Sequence, residues 1–408
     1  MFRFIHSADW QLGARFSQFG AKGSALREAR LTTLRRTLDL ARQKSVDAFL
    51  VAGDLFEDNQ VDEALVSQVV GMFSDYHTLP IYLLPGNHDP FTGPDSVWQR
   101  RSFAKAPAHI HVLTRVESID LGGVWLLASP LQQKLSTVDP SLKLVDLAAS
   151  VPAGAIKVGI THGALAIEGK HQPNDFPIAL NAASRAGLDY LAVGHWHNWL
   201  PDTDGGRLVM PGTPEPDQFD QDRSGRVAFV EIDAPGVAPR VEALQVATLD
   251  WKRLTFDFLS ADASRTSLIH ALSSLAANAM RTVLRVELTG TTAPAQLAEV
   301  RTWLEGKLSP FLVGQLFDRS SIALSAAELV DLQSRHPILA QVLADLDQIE
   351  VFATGAGGPP RPPTDATLTL IEAQRLLAQS KIELTALSAE HLTRARQVLL
   401  QTMQEVAP

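Results

Sequence analysis

Short apolar runs alternate with amphipathic stretches from Met1 to about Ala247. The runs Phe2 to Ile5, Ala48 to Val51, Ile81 to Leu84, Val124 to Ala128, Ile156 to Ile160, Leu191 to Val193, Leu208 to Met210 and Val227 to Ile232 are too short for stable helices. Several are apolar enough to be buried on both faces, as strands of a covered sheet are. Ser24 to Lys44 and Asp62 to Tyr76 carry a helical pattern instead. Most runs end in a polar cluster. The expectation is one large α/β domain over residues 1–249.

A different pattern starts near Asp250. It reads strand (Leu254 to Phe258), helix (Ser264 to Ala277), alternating strand (Val283 to Leu288), helix (Pro294 to Leu308) and strand (Val313 to Phe317), a small α+β domain over 250–324 of a size to cap a neighbouring site. Residues 325–353 turn helical. The Gly- and Pro-rich segment 354–364 cannot sustain a helix and reads as a tether. In the tail, 365–408, Leu392, Ala395, Leu399, Met403 and Val406 fall on one helical stripe that folds back on this chain or docks into a groove of another.

Composition narrows the chemistry. With 408 residues the chain exceeds one ordinary core. Cysteine is absent, so any metal must be held by His, carboxylate or amide, and a reducing compartment fits. No apolar run is long enough to span a membrane, and the start passes directly into a strand pattern, so the cytoplasm is the expected location. The formal net charge of −9 argues against a whole-surface nucleic-acid binder. Residues 1–50 nevertheless hold nine Lys and Arg against four Asp and Glu, with Arg27, Arg30, Arg35, Arg36 and Arg42 on one expected helix. A solvated face is the plainer reading of that run.

Five short motifs follow strands in order: Asp9-Trp10-Gln11, Gly53-Asp54, Gly86-Asn87-His88-Asp89, His162-Gly163 and Gly194-His195-Trp196-His197. Singly each is a common turn or a structural histidine. Together they supply donors for a metal pair. Hydrolysing a phosphodiester at neutral pH needs a strong nucleophile and neutralisation of charge on the phosphoryl oxygens, and two divalent cations about 3.5 to 4 Å apart supply both. A bridging anion is then required, and Asp54 is the best candidate. Mixed nitrogen and oxygen donors suit manganese, iron or zinc better than magnesium, with manganese the first choice.

The stretches FIHSADWQLG, GDLFE, LPGNHDP, THG and GHWH, followed by PGTPEP (Pro211 to Pro216), resemble the calcineurin-like metallophosphoesterases, specifically the SbcD- and YhaO-type DNA-repair exonucleases. The resemblance implies a four-layer β-sandwich flanked by helices, with a capping domain and a helical tail. It places a first metal on Asp9, Gln11, Asp54 and His197, and a second on Asp54, Asn87, His162 and His195. His88 would face the phosphate, stabilising the transition state or protonating the leaving oxygen. Asp89 would orient His88 or a ligand. Exonuclease and perhaps endonuclease action on DNA, a homodimer, and an SbcC- or YhaN-like coiled-coil ATPase bound by the C-terminal helices are further implications.

Gln11 departs from the family's usual Asp-x-His, and an amide is a poorer donor than imidazole. Glu57 stands where some relatives carry His. A small-nucleotide phosphodiesterase or phosphatase, and a DNA-end-binding scaffold with an impaired metal site, are therefore the rival readings. His6 close to the first motif reads as a buried, hydrogen-bonded residue before it reads as a support for the site. Trp10 and Trp196 read as packing before base stacking, and Arg100 and Arg101 as an exposed basic pair before a phosphate contact.

Overall fold

The computed structural model describes residues 1–323, together with positions 330, 331, 334, 335, 341, 342, 344, 346 and 395. The expected tether 354–364 therefore lies outside the described residues, as do the helical segment 325–353 and the C-terminal helices 365–408 apart from those isolated positions.

The chain divides into two compact units, Met1–Trp251 with Arg281–Val283, and Lys252–Met280 with the residues from Leu284 on. The first unit contains strands β1 (Phe2–Ser7), β2 (Ala48–Ala52), β3 (Ile81–Leu84), β4 (Ile110–Val112), β5 (Glu117–Asp120), β6 (Val124–Ser129), β7 (Ile156–His162), β8 (Tyr190–Gly194), β9 (Leu200–Thr203), β10 (Leu208–Met210), β11 (Arg226–Ile232) and β12 (Arg240–Gln245). Its helices are α1 (Gly23–Gln43), α2 (Glu63–Ser74), α3 (Arg101–Ala104), α4 (Leu142–Ser150) and α5 (Ala182–Arg185).

Two six-stranded sheets form, in the orders β12-β11-β1-β2-β3-β4 and β5-β6-β7-β8-β10-β9. Between them lies a core built from alternate residues of each strand, including Phe4, Leu50 and Leu84 from one sheet and Leu126, Ile160 and Ala192 from the other. The intervening residues face outward onto helices. Phe49, Val51 and Ile81 meet Leu34, Leu38, Val66 and Phe73 of α1 and α2, while Leu127, Leu191 and Val193 meet Leu144 and Ala148 of α4 and Ala182 and Ala183 of α5. The unit is thus a four-layer α/β sandwich, and its central strands read as continuous apolar runs because both faces are covered. Among the described residues no helix is long and apolar enough to cross a membrane.

The four strands of these sheets without a counterpart in the apolar pattern, β4, β5, β9 and β12, are their edges. β5 (Glu-Ser-Ile-Asp) and β12 (Arg-Val-Glu-Ala-Leu-Gln) each carry a polar face, and β4 and β9 are three and four residues long. An edge strand with one wet face has no need of a continuous apolar run.

β1, β2, β3 and β4 run parallel in sequence order, as do β6, β7, β8 and β10. In register, Ser7 sits beside Val51, Ala52 beside Leu84 and His162 beside Gly194. The carboxyl ends of these strands thus finish level within each sheet, and β2 packs against β7 and β8 of the other. That stacking gathers the loops after β1, β2, β3, β7 and β8 at one end of the sandwich, where ligands of open parallel sheets characteristically bind. His6 links the sheets through its Nδ1, 2.9 Å from the Tyr190 hydroxyl.

In the second unit β13 (Asp250–Asp257), β14 (Thr282–Thr289) and β16 (Val313–Asp318) form a three-stranded sheet, and β15 (Thr291–Thr292) pairs with β17 (Ser321–Ile322). Helices α6 (Ala261–Leu275) and α7 (Pro294–Leu308) bury Leu268, Leu272, Leu297, Val300 and Leu304 against Phe256, Leu284 and Val286.

Candidate metal centre

The loops after β1 and β2 run side by side: Asp9 N donates to Gly53 O (3.2 Å), Gln11 N to Asp54 O (3.0 Å) and Leu12 N to Leu55 O (2.9 Å). Asp9, Gln11 and Asp54 have φ of 55°, 40° and 55°, and His195 has φ 129°. Non-glycine residues rarely adopt such angles, and each costs of order 1 to 3 kcal/mol that the surrounding fold must offset. Here three of the strained residues, Asp9, Asp54 and His195, belong to the cluster of motif side chains at the strand ends. Two glycines make the approach possible. A Cβ on Gly53 would collide with the His162 ring, and one on Gly86 with the Asp54 carboxylate.

Asp9, Asp54 and His162, all buried, offer ligand atoms within 4.8 Å of one another. Asp54 Oδ2 lies 3.4 Å from His162 Nε2, while Asp54 Oδ1 accepts from the His88 backbone N–H at 2.9 Å. Asp9 Oδ2 accepts from the His195 backbone N–H at 3.0 Å. Asp9 Oδ1 is buried with no hydrogen-bond partner among the described residues. Burial raises the Asp9 carboxyl above the usual range, so keeping it ionised calls for a neighbouring cation. The donor set therefore fits a divalent metal on its own chemistry.

The electrostatics agree. Burial works to raise the Asp54 carboxyl, but His162 and His88 outweigh it and hold it below the usual range. Burial disfavours a charged His162, yet Asp54 and Asp9 more than offset this and push the imidazole up to about 9. Both His162 nitrogens face acceptors, Nδ1 the Ala52 carbonyl at 2.8 Å and Nε2 the Asn87 Oδ1 at 2.8 Å. With Nδ1 donating to Ala52, Nε2 is the nitrogen free to exchange its proton for a metal.

The remaining sequence-derived candidates surround this group. Asn87 Oδ1 also lies 3.1 Å from His195 Nδ1, and the His162 and His195 rings meet edge to face at 5.4 Å. Gln11 is joined to Asp54 by its backbone and is 5% exposed. His195 and His197 are not members of the Asp9–Asp54–His162 group. His197 Nδ1 is turned toward Gln221 Nε2 (2.9 Å) and Asp217 Oδ1 (3.5 Å). His88 Nδ1 donates to the Glu57 carbonyl at 3.0 Å, which leaves Nε2 for other work. Asp89 is fully buried and takes the Phe56 and Gly86 backbone N–H groups at 2.9 and 2.8 Å. It staples the β2 and β3 loops together, and burial followed by Asp54 raises its carboxyl to about 7.

Sequence reading passed over three residues beside the site. Asp175 Oδ2 lies 2.8 Å from His195 Nε2. Asp217 lies between His197 and Arg30, and Gln221 Nε2 donates to it at 2.5 Å. Asp217 directly follows the PGTPEP segment, a position the motif could have indicated; Asp175 has no local signal. The five arginines of α1 are engaged locally, Arg27 with Arg15 O, Arg30 with Trp10 O, Arg35 with Asp75, Arg36 with Ala247 O and Arg42 with Asp39. Trp10 is fully buried, with Nε1 donating to Ser7 Oγ at 3.0 Å, and Trp196 packs against the cluster that joins β6, β8 and β10 to α4 and α5. Arg100 is not exposed as expected; its guanidinium donates to the Asn59 and Val61 carbonyls, pinning that loop.

Residues 2–199 match the family model described as Calcineurin-like phosphoesterase. The chain is 26% identical over 276 residues to the DNA double-strand break repair protein Mre11 of Methanopyrus kandleri, a match that covers 62% of this chain and 58% of that protein. It thus spans little more than half the length of that relative. Among solved structures it is similar to a purple acid phosphatase from seeds of yellow lupin (Lupinus luteus), with a TM-score of 0.34, 12% identity and coverage of 56% of this chain and 49% of the other. A dimetal phosphatase of Danio rerio gives a TM-score of 0.35 at 12% identity, covering 60% of this chain and 98% of the other.

Proposed function

We propose that this chain, which belongs to the calcineurin-like phosphoesterases through its residues 2–199, is a nuclease that hydrolyses DNA phosphodiesters with a pair of divalent cations. The observation that carries the chemistry is the buried group of Asp9, Asp54 and His162, in which Asp9 Oδ1 has no hydrogen-bond partner among the described residues. DNA as substrate is supported by the similarity to a relative named as a DNA double-strand break repair protein.

In this reading Asp9, Gln11, Asp54 and His197 would hold one cation, and Asp54, Asn87, His162 and His195 the other. When bound, such a pair neutralises charge building on the phosphoryl oxygens and acidifies water. Manganese suits the mixed donors best. His88 holds its ring by Nδ1 on the Glu57 carbonyl and directs Nε2 to the phosphate or the leaving oxygen. Asp89 fixes the separation of the Asp54 and Asn87 loops through two backbone N–H groups. The same reading extends to a cytoplasmic homodimer with an SbcC- or YhaN-like ATPase on residues 365–408.

The deciding assay compares a labelled blunt duplex and a single strand with a chromogenic phosphodiester, each with manganese, magnesium and zinc. Manganese-dependent cleavage of DNA is expected. Turnover of the chromogenic ester without cleavage of DNA would replace the reading by a small-nucleotide phosphodiesterase. DNA binding without any cleavage, cured by Gln11→His, would replace it by an end-binding scaffold whose first metal site is impaired.

A further inference from the structure

We propose that Asp175 is a positioning residue: its carboxylate anchors the Nε2–H of His195 and so fixes Nδ1 as the nitrogen that this ring presents to the metal centre. The inference rests on the reading of the centre given above and adds a residue from a segment, between β7 and β8, that no motif touches.

The geometry is direct. Asp175 Oδ2 stands 2.8 Å from His195 Nε2, whereas Asn87 Oδ1 and the His162 ring lie on the Nδ1 side, at 3.1 Å from Nδ1 and 5.4 Å between centroids. A neutral imidazole has one N–H and one lone pair, and a carboxylate that takes the N–H decides which nitrogen is left. Carboxylates commonly orient metal-bound histidines in this way. The two rings consequently present opposite nitrogens. His162 spends Nδ1 on the Ala52 carbonyl and offers Nε2, while His195 spends Nε2 on Asp175 and offers Nδ1.

Asp175 can serve as an anchor because its own backbone is held. Ala164 N, two residues beyond His162, donates to Asp175 O at 3.1 Å, and Asp175 forms a parallel bridge with Ser136. The following residue, Phe176, donates from its N to Ser136 O at 2.9 Å and is buried in the fold. The ring side matters too. An exposed pair is screened by solvent and orients little, but the His195 and Asp175 side chains are only 15% and 21% exposed. His195 also has a strained φ of 129° and donates its backbone N–H to Asp9. Its main chain is therefore set by the first loop and its ring by Asp175.

The test uses the full-length chain, stripped of metal, as wild type, Asp175→Ala and Asp175→Asn. Nitrogen-15 spectra of the histidine rings report the tautomer without any metal, and calorimetric titration with manganese reports stoichiometry and affinity. Wild type should show His195 protonated at Nε2 and bind two ions. Asp175→Ala should lose that tautomer preference and bind one ion about 10 to 100-fold more weakly while the other is unchanged. Asp175→Asn, which keeps an acceptor oxygen, should stay within a few-fold of wild type. An Asp175→Ala protein that keeps the Nε2–H tautomer and binds both ions normally overturns the inference. Wild-type protein that takes up no manganese overturns the underlying reading and this inference with it, a result seen before any substitution is made.

Discussion

Arg30 Nη2 lies 3.0 Å from Asp217 Oδ2, joining a side chain of α1 that is 2% exposed to the carboxylate beside His197. Nη1 of the same guanidinium donates to the Trp10 carbonyl at 2.6 Å, and the group sits 5.3 Å over the Phe16 ring. Burial works to raise the Asp217 carboxyl, but His197 and Arg30 hold it well below the usual range. Arg30 thus ties the Asp9 loop to the His197 flank from behind. Arg30→Met should strip the buried Asp217 carboxylate of its guanidinium, leaving it only His197 and Gln221, and cost about 3 kcal/mol, and Arg30→Met with Asp217→Leu should recover part of that. Urea unfolding of the three variants decides. A loss below about 1 kcal/mol for Arg30→Met would mean that the pair is not coupled to the fold.

His6 gives the first unit a pH dependence of its own. The ring is fully buried against the Tyr190 hydroxyl, and burial drives it from 6.5 down to about 3. Its folded state stays neutral where the unfolded chain takes up a proton. The associated stability is whole above 6.5 and is lost as the pH falls, at about 1.4 kcal/mol per unit, until the folded ring titrates near 3. Between pH 7 and pH 5 the loss from this group should be about 2 kcal/mol. A His6→Gln variant, polar but not titrating, should show a shallower fall over that window, even if less stable throughout. Equal slopes in the two proteins would remove His6 from the account.

How much of this was legible beforehand follows from where each signal resides. The central strands announce themselves because both faces are covered, and the five motifs are visible because each is a contiguous turn after such a strand. Asp175 and His195 are 20 residues apart and meet only through the fold, so no local pattern carries the pair. Arg30 is the instructive middle case. The buried residues of α1 include Leu26, Arg30, Leu34 and Leu38, spaced four apart. An arginine on that stripe is a charge pointing inward, and treating the helix's arginines as one basic face conceals it. The donor roles of Gln11, Asn87, His195 and His197 rest on the resemblance and stand as proposal; of the two histidines, neither belongs to the Asp9–Asp54–His162 group.

The same group predicts that metal uptake expels a proton. His162, pushed up to about 9 by Asp54 and Asp9 against the cost of burial, is charged at pH 7 in the metal-free protein. A cation on Nε2 must displace that proton. Manganese affinity should therefore rise about tenfold per unit of pH through the neutral range and level off above about 9. Calorimetry at pH 7 in two buffers of different ionisation enthalpy should find at least about one proton released per protein, because the His197 imidazole and the Asp9 carboxyl are raised as well. No dependence on the buffer would mean that the ring is already neutral and that the centre is prepared for metal in another way.

His88 separates structure from chemistry within one residue. Its backbone N–H holds Asp54 Oδ1 at 2.9 Å, whereas its ring reaches Glu57 O at 3.0 Å and leaves Nε2 uncommitted. His88→Ala keeps the first contact and deletes the second. Asp54 therefore stays oriented, Asn87 next to it stays in place, and manganese stoichiometry and affinity should match wild type. Turnover should fall about 10² to 10⁴-fold, the range for removing a positioned proton-transfer group. Loss of metal together with activity would show that the ring supports the centre, contrary to the assigned role. Full activity with full metal would transfer the proton-handling role to another group, and half-buried Glu57, the residue to which the His88 ring is bonded, is the one to substitute next.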